Sequence, residues 1–289
     1  MRIAVLGSGT TSRDLPAHLA ALSDATTQVA IVNPRLAVFP ATAYERLIVD
    51  LGYVDAAEEA HRGGFDAVAI NSFADYGIGA IRAAGITAFG SGEAALRAAA
   101  KVGPRFSIVT IWPASMAYLY DERLRALDLG TRCARVRHVG VESDLATLGT
   151  HDNVMAQLHR GDVAMLQRVL GECRAAIAQD GIQSIVLGCT CMAPIATAVG
   201  TALDFPVMEG SALAVRAAKA SGTRAIGRRT SATIIGALVD AWLHRSARTG
   251  DGTGDGDGDG DGDGDASSLV PEHLHANLPS AGSCDVCVP

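Results

Sequence analysis

Short β-branched and apolar runs alternate along the chain with longer Ala-rich stretches of helical period. The clearest runs are Ile3 to Leu6, Val29 to Val32, Ala67 to Ile70, Phe106 to Thr110, Val136 to Val141 and Ser184 to Leu187. Between them, segments such as Tyr44 to Arg62 and Asp162 to Gln179 suit helices of roughly 12 to 18 residues. Strands alternating with helices in this order predict an α/β fold of parallel sheets covered by helices.

The pattern also repeats. Phe65-Asp66-Ala67-Val68-Ala69-Ile70-Asn71-Ser72, followed by Ile86-Thr87-Ala88-Phe89-Gly90-Ser91-Gly92-Glu93, has an echo 117 to 118 residues later. There Ile182-Gln183-Ser184-Ile185-Val186-Leu187-Gly188-Cys189 leads through a helix-sized spacer to Phe205-Pro206-Val207-Met208-Glu209-Gly210-Ser211. Arg2-Ile3-Ala4-Val5-Leu6-Gly7 likewise echoes Arg105-Phe106-Ser107-Ile108-Val109-Thr110. An internal repeat changes the architecture. It predicts two pseudo-symmetric α/β halves, residues 1–97 (completed by 205–245) and 98–204, with a site between them. Ser72 and Cys189 take the same place in each half, at the C-terminal end of a strand just before a helix. Ligands of open α/β sheets bind beyond those strand ends, where helix N-termini offer unpaired N–H groups.

From residue 246 the reading changes. Alternating Asp and Gly to Asp265 offer no apolar position, so residues 246–289 are expected to be a flexible acidic tail. The run lacks the spacing of a calcium loop. Cys284 and Cys287 make only a weak zinc motif, because no second ligand pair at a common spacing accompanies them. Locating the charge alters its meaning. The net −7 includes nine acids and no Lys or Arg within residues 250–289, which leaves 22 acids against 24 bases, +2, for the body. A nearly neutral body predicts no nucleic-acid partner. Apolar residues reach 48%, yet every apolar run is broken before the roughly 20 residues of a membrane span, and the short run Ile3 to Leu6 reads as a first strand and not as a secretory leader's longer apolar region. A cytoplasmic protein with no membrane partner is expected, a homo-oligomer being compatible with this reading.

Six cysteines, at 133, 173, 189, 191, 284 and 287, are irregularly spaced, and reduced thiols are expected rather than a disulfide framework. Among them Cys189 stands out, in Gly188-Cys189-Thr190-Cys191-Met192-Ala193-Pro194. A thiol at a strand end and helix N-terminus has its pKa lowered from about 8.5, which enriches the thiolate that acts as base or nucleophile. Cys191 reads as a packing residue; Cys133 and Cys173 have no supporting context.

Taken together in order and spacing, the stretch Phe65 to Ile70, Gly90-Ser91-Gly92-Glu93-Ala94-Ala95, Arg105 to Thr110, and Ile185-Val186-Leu187-Gly188-Cys189 with Met192 resemble the aspartate/glutamate/hydantoin racemase superfamily. The likeness is greatest to its hydantoin and allantoin racemase branch and runs from Met1 to about Arg245. It implies two domains closing over a small carbonyl or carboxylate substrate with no metal or organic cofactor. It also implies a cysteine from each half on opposite faces, one removing a proton next to a carbonyl and the other delivering one. Cys189 matches the second of these; Ser72 stands where the family has the first. By the same resemblance Thr10, Thr11, Asn71, Thr110 and Thr190 are substrate-holding positions, while Gly7-Ser8-Gly9 replaces the branch's usual Asn-Pro-Asn. A serine hydroxyl is a poor base near neutral pH unless another group activates it. Three readings follow: a racemase or epimerase of a hydantoin-, allantoin- or amino-acid-like substrate; a one-thiol enzyme similar to arylmalonate decarboxylase or maleate isomerase; and a non-catalytic small-ligand binding protein.

Overall fold

A computed structural model describes residues 1–7, 14–148, 150–222, 235–236 and 239–241. One sheet is formed by β1 (Arg2–Leu6), β2 (Gln28–Val32), β3 (Ala67–Ile70) and β4 (Ala88–Gly90), parallel and in the order β2-β1-β3-β4. The other is formed by β5 (Phe106–Thr110), β6 (Cys133–His138), β7 (Ser184–Leu187) and β8 (Val207–Met208), parallel and in the order β6-β5-β7-β8. The two orders are the same permutation, so the repeated sequence is a repeated topology. The inner strands β3, β5 and β7 are buried along their whole length, as expected of parallel strands with both faces covered.

The covering helices are α1 (Ala17–Ala20), α2 (Ala43–Arg62), α3 (Ile78–Ala83) and α4 (Ser91–Val102) in the first half. Then come α5 (Tyr118–Ala126), α6 (Val154–His159), α7 (Val163–Gln179), α8 (Ala193–Leu203) and α9 (Gly210–Ser221). Local sequence explains their ends. Thr42 and Glu45 form a reciprocal capping box at the start of α2, and Asp162 caps α7 by accepting from the Met165 N–H. The sixth strand lies earlier than Val136 to Val141, because its register with β5 ends at His138 opposite Thr110, where β5 itself ends. Val141, with no strand left to pair with, is 53% exposed.

The chain crosses back to the first half after β8 rather than at residue 205. Val207 and Met208 still pair with β7, and it is α9 that packs along α4, β3 and β4. Residues 235–236 and 239–241 join the same half: the Gly236 N–H donates to Glu58 at 3.1 Å, and Arg35 bridges buried Asp55 (2.6 Å) and Asp240 (2.5 Å). One apolar core spans the halves, running from Leu6, Val54 and Ile70 through Ile111 and Met116 to Leu187 and Val199. No described helix is long and apolar enough to cross a membrane. The acidic tail, with Cys284 and Cys287, lies outside the described residues.

Candidate active site

The parallel strands of each sheet end at one edge, and there the halves meet. Thr190, just after β7, donates its hydroxyl to the Asn71 carbonyl, just after β3, at 3.2 Å across 119 residues of sequence. The segments carrying Ser72 and Cys189 are thereby brought to one seam. Aromatic contacts close it further: Phe73 meets Tyr120 with centroids 5.4 Å apart, Phe39 meets Trp112 at 5.1 Å, and the Tyr118 hydroxyl donates to the Pro40 carbonyl at 2.7 Å.

On the β7 side, Cys189 is extended (φ −144°, ψ 138°) and leads into a 3-10 turn, Thr190–Met192, that feeds α8 with Pro194 in its first turn. The Cys191 N–H donates to the Cys189 sulfur at 3.3 Å. Gly188 is required beneath this turn: a Cβ there would meet the Thr110 Cβ at 2.8 Å and the Tyr120 ring at 3.0 Å. The Tyr120 hydroxyl fills that space, donating to the Gly188 carbonyl at 3.0 Å and paired with the Thr110 hydroxyl at 2.5 Å, which in turn accepts the Trp112 N–H at 3.2 Å. Burial pushes the Tyr120 phenol well up, so it stays protonated as a donor. Thr110, expected among the substrate-holding positions, is instead fully buried, its hydroxyl engaged in this chain behind the cysteine.

The cysteines correct a second expectation. Cys189 and Cys191 are joined by a disulfide rather than standing as two reduced thiols. The extended Cys189 turning at once into the 3-10 segment brings the Cα atoms to 5.2 Å, inside the span a disulfide needs. Cys133 and Cys173 keep free thiols, and burial pushes them up to about 11 and about 12, which leaves them protonated and unreactive.

On the β3 side, half-buried Ser72 accepts the Ala74 N–H at 3.3 Å, with Tyr76 four residues on. Tyr76 lies 5.3 Å from the ring of Tyr53 and beneath the Arg46 guanidinium at 5.8 Å, and burial pushes its phenol well above its ordinary value. Asp75 (φ 51°) donates its backbone N–H to the Ser72 carbonyl at 3.2 Å while its side chain reaches α4. Its carboxylate accepts the Gly92 and Glu93 N–H groups at the start of α4, at 2.8 and 2.7 Å, with Arg123 of the other half at 3.7 Å. Complete burial outweighs these partners and raises Asp75 to about 7.

Thr10 and Thr11 lie outside the described residues. At the edge of that segment Gly7 is held against Asn33, whose Oδ1 would be 2.2 Å from a Cβ at Gly7, so an amide side chain stands at this sheet edge that the sequence pattern did not single out. Tyr76 and Tyr120 were also missed; the only signal was their spacing from Ser72 and Thr110 in segments already marked as strand ends. Among the described residues no group of three or more His, Cys, Asp or Glu could hold a metal ion.

Comparison with known proteins is consistent with this geometry. The model of the family described as Asp/Glu/Hydantoin racemase matches residues 3–218. A hydantoin racemase of Paenarthrobacter aurescens is 27% identical over 65% of this chain and 75% of that protein. A hydantoin racemase from a Pseudomonas species is 25% identical over 80% of this chain and 89% of its own length. The structure of allantoin racemase from Klebsiella pneumoniae superposes with a TM-score of 0.65 at 25% identity, covering 81% of this chain and 92% of that one.

Proposed function

The chain belongs to the Asp/Glu/hydantoin racemase family and is an isomerase of the racemase type, and from that premise we propose that it inverts a carbon next to a carbonyl in a hydantoin- or allantoin-like substrate, with amino-acid derivatives as the wider class. In this reading Cys189, reduced to its thiol, exchanges the proton on one face. Ser72 lies across the substrate and serves the other face. Asn71 and Thr190 hold polar groups of the substrate, joined by Thr10 and Thr11 of the loop after β1.

The single observation that carries the reading is the Thr190 to Asn71 hydrogen bond, which ties the two equivalent strand ends into one seam. Chemistry supports the division of labour. A carbon acid flanked by a carbonyl loses its proton to a base of modest strength when the developing enolate is stabilised, and a thiolate beside a helix start is such a base. Ser72 gives no such base; in this reading its hydroxyl hands a proton to the enolate. Thr110 and Tyr120 act behind Cys189 by fixing the Gly188 carbonyl and hence the turn that aims the sulfur.

One observation favours a second reading. Asp75, the carboxylate nearest Ser72 in sequence, is committed to α4 and cannot activate the hydroxyl. A one-thiol reaction, decarboxylative or isomerising with protonation on a single face, uses the same site. The two readings separate on a panel of enantiopure hydantoins, allantoin, aspartate and a substituted malonate, incubated with the dithiothreitol-reduced protein and followed by polarimetry and carbon dioxide release. Loss of rotation without gas evolution is expected on a hydantoin or allantoin; gas evolution from the malonate alone would replace the first reading with the second.

A further inference from the structure

Resting on the reading of Cys189 as the reacting thiol, we propose that Cys189 and Cys191 form an oxidative modification site, with hydroperoxides as its reagent class: the disulfide seen here is the closed, inactive state, and its reduction exposes the working thiol. Three observations converge on this pair. The two half-buried sulfurs are joined while the chain holds its native turn, so closing the ring needs no unfolding. Both residues lie on the extended-to-3-10 segment at the seam between the halves. The remaining described cysteines are excluded by their surroundings, Cys173 in the buried face of α7 and Cys133 in β6.

The chemistry balances. The Cys189 thiolate attacks a peroxide oxygen; the S–O bond forms, the O–O bond breaks, and hydroxide, or alkoxide from an organic hydroperoxide, departs to take up a proton. Cys191 then attacks the sulfenic sulfur; the S–S bond forms, the S–O bond breaks, and the thiol proton leaves with the hydroxyl as water. Two electrons pass from the sulfur pair to the peroxide. The Cys191 N–H, aimed at the Cys189 sulfur, stabilises negative charge there before the first step. A resolving thiol two residues away outcompetes a second peroxide, which would otherwise drive Cys189 to the irreversible sulfinic acid. Opening the bond is a thiol exchange with an external dithiol, which leaves as its own disulfide. Cys191 is thus given a purpose that packing does not require.

The test uses the full chain, reduced with dithiothreitol and desalted, then treated with hydrogen peroxide. Denaturing mass spectrometry and peptide mapping after alkylation are run beside racemisation of the best substrate of the panel. The expected result is loss of two hydrogens in a cross-linked Cys189–Cys191 peptide. Turnover should fall together with it by at least ~10²-fold, the loss expected when an acid–base group is withdrawn, and return with dithiothreitol. Cys191→Ser should keep turnover when reduced, gain oxygen at Cys189 under peroxide, and recover poorly. Oxygen addition at Cys189 in the wild type without a cross-link, or equal recovery of wild type and Cys191→Ser, would overturn the proposal. Because the mass readout is independent of turnover, a cross-link that forms and reverses in a protein inactive on the whole panel would refute the assigned function and not the modification site.

Discussion

The ends of β3 and β7 occupy the same position in two copies of one topology, and they carry opposite chemistry. After β7 come Gly188 and Cys189, a sulfur on an extended residue whose neighbouring turn supplies an N–H. After β3 come Asn71 and Ser72, a hydroxyl that accepts the Ala74 N–H. The residues behind them differ in the same sense. Position 75 holds a buried carboxylate that fastens α4, whereas its equivalent in the repeat, Met192, is fully buried apolar packing. The two halves share the backbone and the seam, while their side chains differ, a sulfur at one end and a hydroxyl at the other, which the proposed function assigns to opposite faces of the substrate. The asymmetry belongs to chemistry and not to fold.

The sharpest way to break this comparison is to remove its reactive side. Cys189→Ala is expected to lower turnover by at least ~10²-fold with an unchanged circular-dichroism spectrum, since general acid–base groups are worth that much and little volume is lost. Full turnover with a native spectrum would remove the thiol from the mechanism.

Next in size is the substitution that makes the two ends alike. Ser72→Cys supplies a group several pKa units more acidic than an alkanol. It is expected to raise the racemisation rate, or, if protonation in the wild type is one-faced, to erode the enantiomeric excess of its product; chiral chromatography reads both. No change in rate or stereochemistry would take position 72 out of the reacting centre.

Tyr120→Phe probes what stands behind Cys189. It leaves the Gly188 carbonyl and the Thr110 hydroxyl without their buried partner, a cost of about 1–3 kcal/mol in stability. A lower melting temperature is expected together with a fall in turnover smaller than that of Cys189→Ala. An unaffected melting temperature would show that the buried chain from Trp112 to Gly188 carries no stability.

Asp75 gives an effect that depends on pH, with a sign that can be read. Its carboxyl is raised to about 7 in the folded protein, from a usual value near 4. The folded state therefore prefers the proton, and the stability this group contributes is complete below about pH 4 and lost as pH rises through about 7. Asp75→Asn removes that slope, so urea midpoints of variant and wild type should converge, or cross in favour of the variant, between about pH 5 and pH 8. A parallel offset across the range would place the carboxyl's titration elsewhere.

Much of the frame was legible in the sequence because it rests on local periodicity. Ala67 to Ile70, Phe106 to Thr110 and Ser184 to Leu187 appear as strands with those bounds, and the repeat anticipates the shared strand order. Pairing decided the rest: β6 stops where β5 runs out of partners, and β8 stays with the second sheet because it pairs with β7. Of the candidate site, the positions Ser72 and Cys189 could be read from the repeat. The pairing of the Thr110 hydroxyl with Tyr120 was not legible, since Tyr120 lies ten residues on and is brought beneath Gly188 only by folding. The Cys189–Cys191 bond escaped for a similar reason: composition argues about compartments, while the bond follows from the backbone turn between the two residues.

The central claim is that the two strand ends flank one carbon and serve its opposite faces, and isotope partitioning tests it most directly. Reduced wild-type protein is given one enantiomer of a hydantoin or allantoin in D2O, and deuterium is measured separately in the remaining substrate and in the newly formed enantiomer at low conversion. The account predicts deuterium in nearly every molecule of the new enantiomer and little in the recovered substrate, because the group that adds the proton is not the one that removed it. Deuterium accumulating in recovered substrate with rotation retained would mean that Cys189 alone works one face, and would contradict it.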